Sequence, residues 1–191
     1  MKLATLSVTP LGYALMWLIR NKPGTGYALR RVFETTPLGN YSSSPGSIYP
    51  ALKVLERAAL IESRDEAGKD NFYITPAGDK RLEDWLSVPV SQDELDRGTG
   101  TLLLRFALLQ DGPRSRTLNF LESLKGVADV RAQGLRDFHD SVTGQGMPLQ
   151  ARLALLHGIR SIETTARWAA DARDLLEADE RHHVFGTETI R

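Results

Sequence analysis

Ser47, Pro50, Lys53 and Arg57 fall at spacings that bring a hydroxyl and positive charge to one side of a helix, with Tyr49 in its first turn. Such a set makes and breaks no covalent bond. It hydrogen-bonds to polar edges and is drawn to phosphates, the chemistry a major groove rewards. On the other side, Ile48, Leu52, Leu55 and Ala59 repeat at the i, i+4, i+7 spacing of a buried face. Pro50 fixes where this helix starts. Proline is tolerated only in the first turn, so the start lies near Gly46 to Ile48, with Ser44 or Ser47 as cap. The first-turn side chains are those a recognition helix turns toward base edges.

The flanking segments supply a frame for that helix. Thr9-Pro10 opens a helix to about Arg20, with Leu11, Leu15, Leu18 and Ile19 on its apolar face. Asn21 to Gly26 breaks it, and a second helix runs from Gly26 to Thr35. After the candidate recognition helix, Leu60–Arg64 and Asn71–Thr75 read as strands around a loop from Asp65 to Asp70. Thr75-Pro76 caps a fourth helix to about Leu86. The expected fold is mainly α with a small β-wing: a winged helix-turn-helix over residues 1–88, and an all-helical region over 89–191.

That second region holds a helix from Ser91 or Asp93 through Leu109 and two long ones, about 114–142 and 149–178. Their apolar stripes are Leu121, Leu124, Ala128, Leu135, Phe138 and Val142, and Leu155, Ile159, Ile162, Ala166, Ala169 and Leu176. Rods of this length need each other and a second subunit to bury such stripes, so an antiparallel helical dimerisation domain is expected. A monomeric helical hairpin is the alternative.

Composition excludes other classes. The 191 residues contain no cysteine, so disulfides and thiolate metal sites are ruled out. No apolar run reaches the ~18 residues of a membrane span and no signal peptide is apparent, which makes a cytoplasmic protein the expectation. Net charge is zero. Residues 1–88 carry 11 Lys/Arg against 9 Asp/Glu, and the rest 13 against 15. Any DNA binding must rest on local placement of charge. The histidines, His139, His157, His182 and His183, show no catalytic or metal-ligating spacing; adjacent residues of a helix point about 100° apart. No enzyme activity and no cofactor are expected.

Beyond these patterns, the chain resembles the PadR family of transcriptional regulators. The resemblance lies in Leu11-Gly12-Tyr13-Ala14-Leu15, Gly24-Thr25-Gly26-Tyr27-Ala28-Leu29, Gly46 through Glu56, Leu60-Ile61 and Phe72 through Gly78. It is strong over residues 8–86 and looser beyond. It implies a homodimeric repressor of a palindromic operator, dimerised through its C-terminal helices. The DNA-facing positions it implies are Tyr27, Ser44, Ser47, Tyr49, Pro50, Lys53 and Arg57, with Arg64 and Lys69 in the wing. It also implies a small aromatic or hydrophobic effector, with Trp85 and Trp168 as candidate contacts; simple packing is the other reading of both tryptophans. The wing departs from the family pattern, because Asp65, Glu66 and Asp70 outnumber Lys69. That acidity leaves a second functional reading open, a winged-helix protein–protein interaction module with a coiled-coil arm.

Overall fold

The computed structural model describes residues 8–36, 38, 45–66 and 68–186, with Pro45 and residues 180–186 by backbone alone. The chain divides into two compact units. One comprises residues 1–88 with 103–109, and the other residues 89–102 with 110–191.

In the first unit, α1 (Pro10–Asn21) starts where the Thr9 side chain accepts from the Gly12 N–H at 3.2 Å. It is the central helix: Leu11, Tyr13 to Trp17 and Ile19 are all buried. Strand β1 (Gly24–Thr25) leads into α2 (Gly26–Thr35), capped by Thr25. A 3-10 turn, Pro45–Ser47, precedes α3 (Ile48–Arg57). Strands β2 (Ile61–Glu66) and β3 (Lys69–Ile74) form the hairpin, and α4 (Pro76–Ser87) closes the unit. Arg20 of α1 meets Glu83 of α4 at 2.5 Å.

Three sequence expectations change here. The sheet has three antiparallel strands in the order β1-β3-β2, because Gly24 and Thr25 pair with Phe72 and Asn71. The hairpin is also longer than expected. Asp65 pairs with Asp70 and Glu66 with Lys69, so the four belong to strands rather than to a loop. Finally, Ala59 is exposed and outside the helix, with φ of 55°. The Leu60 N–H donates to the Leu55 carbonyl and the Ala59 N–H to Glu56. This is the 6→1, 5→2 closure that ends helices in a left-handed residue, usually glycine.

That turn is locked from outside. The Thr75 hydroxyl donates to the Ala59 carbonyl at 2.7 Å and to Leu60 at 3.1 Å. A Cβ on Gly78 would fall on the Leu60 carbonyl oxygen, so α4 approaches this corner as closely as a glycine permits.

The rest of the chain is helical, and its residues 103–109 belong to the first unit. The Ser91 capping box opens α5 (Gln92–Asp96). Gly98, at φ 111°, interrupts the single helix expected from Ser91 to Leu109, and α6 (Thr99–Ala107) follows as a separate element. A left-handed residue cannot continue a right-handed helix. A 3-10 turn, Leu108–Asp111, leads on to α7 (Arg114–Asp140), α8 (Val142–Gln145) and α9 (Leu149–Gly186). At about 1.5 Å per residue, α7 and α9 are roughly 40 and 57 Å long. They pack antiparallel: Arg114 donates to the Leu176 carbonyl, and Arg136 pairs with Glu163. Leu121, Leu124 and Ala128 are buried as expected, together with Phe120 and Ala132. Phe138, in the last turn of α7, and Val142, beyond its end at Asp140, are exposed instead.

The corner makes opposite predictions for two small residues. Ala59→Gly should raise unfolding stability by about 0.5–1 kcal/mol, since it relieves the left-handed penalty. Gly78→Ala should lower it by about 1–3 kcal/mol by overpacking. Urea midpoints of the two variants check both signs.

Candidate nucleic-acid interface

The geometry of α3 follows from its buried edge. Ile48, Leu52 and Leu55 are at most 2% exposed and pin the helix to the unit. The side chains turned away are Pro50, Lys53, Val54 and Arg57, all exposed, with Ser47 half-buried at the start. Ser47 occupies the cap position, but its hydroxyl makes no capping bond because its backbone is already helical (φ −84°, ψ −12°). Ser44 lies outside the described residues. Lys53 and Arg57 form no ion pair with a described residue, so their charge is not cancelled within the interface.

Tyr49 points to the flank of this strip. Its ring lies against the backbone where α2 begins: a Cβ on Gly26 would be 2.7 Å from Tyr49 Cε1. The ring is nevertheless 46% exposed, and Tyr27, one residue past Gly26, is 65% exposed. The structure therefore brings Ser47, Tyr49, Pro50, Lys53 and Arg57 onto α3, and seats Tyr49 at the start of the helix that carries Tyr27.

Sequence reasoning missed Val54. It is 42% exposed and lies beside Pro50 one turn on. Both line a shallow, mostly apolar cavity of about 220 Å³ with Val8, Thr9 and Gly12 of the α1 start and Ala51. Helical angle alone could have found Val54, which sits opposite the buried stripe.

The two wing cations are placed differently. Glu62, Arg64 and Glu66 share one face of β2, opposite Tyr73, Asn71 and Lys69. Arg64 pairs with Glu62 at 2.5 Å and stacks 4.4 Å over the Tyr73 ring. Glu66 accepts from the Tyr73 hydroxyl and from Asn71 Nδ2 at 3.1 Å. Lys69 is exposed, directly across from Glu66. On the other face Asp65 and Asp70 stand opposite each other, a like-charge pair that discourages the approach of phosphate.

Trp85 belongs to the first unit and Trp168 to α9 of the second. Trp85 is stacked on Tyr13, centroids 4.3 Å apart and planes 4° from parallel. The buried Arg105 guanidinium lies 5.9 Å over the same ring. Trp168 is half-buried. His139 sits beside Asp140 at 2.8 Å. Among the described residues no group of three or more His, Cys, Asp or Glu could hold a metal. No helix among them is long and apolar enough to cross a membrane.

Three helices, a helix-turn-helix pair with an outward polar strip on its second member, and a β-hairpin define the first unit as a winged helix-turn-helix domain. Residues 15–84 match the model of the "Transcriptional regulator PadR-like family". The chain is 33% identical over 107 residues to "Transcriptional regulator YqjI" of Escherichia coli, an alignment covering 56% of this chain and 49% of that protein. A protein of Shigella flexneri with the same designation, YqjI, matches to the same extent. The chain thus spans about half the length of the curated relatives it matches. Among solved structures it is similar to the PadR-like transcriptional regulator BC1756 from Bacillus cereus, at 20% identity over 88% of this chain and 99% of that one, with a TM-score of 0.39. Bacillus subtilis PadR in complex with operator DNA gives 20% identity, the same coverage and a TM-score of 0.38.

The hydrogen bond to Glu66 raises the pKa of the Tyr73 hydroxyl above its ordinary value. A group whose folded pKa is raised stabilises the fold fully below its unfolded pKa, about 10 for tyrosine, and loses that contribution as pH rises through the folded value. Spectrophotometric titration should therefore show Tyr73 ionising later than a free tyrosine, and Glu66→Gln should bring it back toward pH 10.

Proposed function

We propose that this protein is a homodimeric DNA-binding transcriptional regulator, a repressor of a palindromic operator released by a small aromatic or hydrophobic ligand. The observation that carries the proposal is the outer strip of α3. Two exposed cations, Lys53 and Arg57, stand on the second helix of a helix-turn-helix, in a domain whose family model is that of transcriptional regulators. In this reading Ser47, Tyr49 and Pro50 lie toward base edges. Lys53 and Arg57 reach phosphate or guanine, and Tyr27 contacts the backbone from the flank. Ser44, Arg64 and Lys69 are assigned supporting contacts, with Arg64 weakened by its bond to Glu62. A DNA partner makes the cytoplasm its place of action.

The dimer is supported by a second stripe on α9. Ile159, Ala166 and Ala169 are buried on the side that faces α7. Leu149, Leu153, Leu156 and Arg160 follow heptad-like spacing about 120° away around the helix, since each residue turns about 100°. Leu149 and Leu153 are 63% and 55% exposed. With Leu156, His157, Arg160, Ser161 and Thr164, Leu153 lines an open hollow of about 480 Å³. A second copy of the chain is the occupant proposed for this face. Two recognition helices held about 34 Å apart then enter successive major grooves. Ligand binding in the helical domain, with Trp168 as its proposed contact, alters that spacing and weakens both contacts together; Trp85, the other candidate, lies in the first unit, stacked on Tyr13.

One observation favours the protein–protein reading: the wing neutralises its own Arg64 and presents Asp65 and Asp70. Reversing Lys53 and Arg57 to Glu separates the two. On the repressor reading, operator affinity falls by about 100-fold or more while sedimentation still shows the dimer. Unchanged affinity supports the interaction module. Few phosphate contacts also mean a shallow salt dependence. Counting Lys53 and Arg57 twice per dimer gives a slope of log affinity on log salt of roughly −4, and a much steeper slope would show that the wing grips DNA after all. For the effector, a panel of phenolic and other aromatic compounds should quench tryptophan fluorescence, and Trp168→Phe should remove part of the response. A panel with no effect on fluorescence or operator affinity leaves the tryptophans as packing residues.

A further inference from the structure

The outward surface of α3 divides lengthwise into two unlike edges. Lys53 and Arg57, four residues apart, form one. Pro50 and Val54, also four apart, form the other, and neither has a hydrogen-bonding side chain. Next to them Ala51 is half-buried, and Thr9 and Gly12 of α1 complete the shallow cavity of about 220 Å³ into which this edge opens. An exposed apolar edge in the middle of a polar recognition surface costs solvation unless something apolar meets it. In a major groove, the donor and acceptor pattern of every base pair is polar, and thymine alone among the four bases adds an apolar group, its C5 methyl. The helix also lacks Asn and Gln, the side chains that read adenine through paired hydrogen bonds.

We propose that the Pro50–Val54 edge of α3 reads C5 methyl groups, so that the operator is specified by thymine at the positions facing this edge while Lys53 and Arg57 hold the flanking phosphates or a guanine. This inference rests on the DNA-binding reading and narrows it to a class of sequence. Two features support this occupant for the hollow. It adjoins the cations that suit a phosphate-lined groove, and Ser47 and Pro50 belong both to its wall and to the strip proposed to face base edges. A methyl group on 5-methylcytosine presents the same chemistry, and the test distinguishes the two sources.

The test begins with selection of a binding duplex by the full chain from a random library. Its affinity is then compared with that of the same duplex carrying uracil in place of thymine, which removes the methyl and preserves pairing. Each buried methyl contributes about three- to five-fold. Uracil throughout should therefore weaken binding by about 10-fold or more. Val54→Ala should shrink the thymine–uracil difference without changing the circular dichroism spectrum. Equal affinity for thymine and uracil duplexes would overturn the methyl reading and leave DNA binding standing. A uracil penalty that persists undiminished in Val54→Ala overturns it too, because the penalty then lies in the DNA. Failure to enrich any duplex defeats the DNA-binding reading itself. Recovery by 5-methylcytosine at the natural site marks methylated DNA, and its absence with a retained thymine effect marks thymine as the source.

Discussion

The burial of three side chains, Ile48, Leu52 and Leu55, determines what the first unit can do. Each is worth about 1.5–3 kcal/mol when taken from water into the core, and together they leave α3 no other rotation about its axis. That rotation places Pro50, Lys53, Val54 and Arg57 outward. Every other element then serves to hold α3 where it is. The α1 helix supplies the floor, with Leu11, Leu15 and Ile19 buried along it. The α2 start leaves room for the Tyr49 ring by having no side chain at Gly26. Behind α3, the Ala59–Leu60 corner is tied by Thr75 and pressed by Gly78, which sets the angle between the helix and the wing.

That corner also explains an internal division of charge. The hairpin begins at Ile61 and runs on to Glu66, so its acidic residues stand on rigid paired strands rather than on a loose tip. Fixed in this way, Glu62 and Glu66 engage Arg64, Tyr73 and Asn71, and the wing's polar face is satisfied within itself. A wing that neutralises its own arginine has little positive potential to offer a phosphate. By contrast, Lys53 and Arg57 have no ion-pair partner among the described residues. A neutral chain can thus still present local positive charge, concentrated on a single helix.

Much of this was legible in the sequence, and for identifiable reasons. Pro50 and the spacing of Ile48, Leu52 and Leu55 fixed both the start and the face of α3, because proline and periodicity are local signals. Thr9, Thr75 and Ser91 marked helix starts by their capping chemistry. What stayed hidden depends on distant partners. A left-handed Ala59 reads as one more helical alanine until the Thr75 and Gly78 contacts are known. Two-residue β1 is too short to show a pattern and exists only because Phe72 and Asn71 lie beside it. Val54 escaped because an apolar residue inside a helix reads as core, whereas its angle puts it outside. The Leu149–Leu153–Leu156 stripe was masked by the stronger one on the side of α9 that faces α7.

The two stripes on α9 bear on why a protein of this kind would need to be a dimer. One α3 offers two cations and an apolar edge, and its wing adds little. Such a surface gives weak, poorly discriminating contact with a duplex when it acts alone. Linking two copies makes the second contact intramolecular, and affinity then grows by the effective concentration of the tethered site rather than by new contacts. Discrimination grows in the same way, since each mismatch is met by both half-sites. The gain disappears if the spacing between the two helices cannot match the groove repeat. A weak wing therefore makes the proposed repressor more dependent on its helical domain, and more sensitive to any ligand that alters the geometry of α7 and α9.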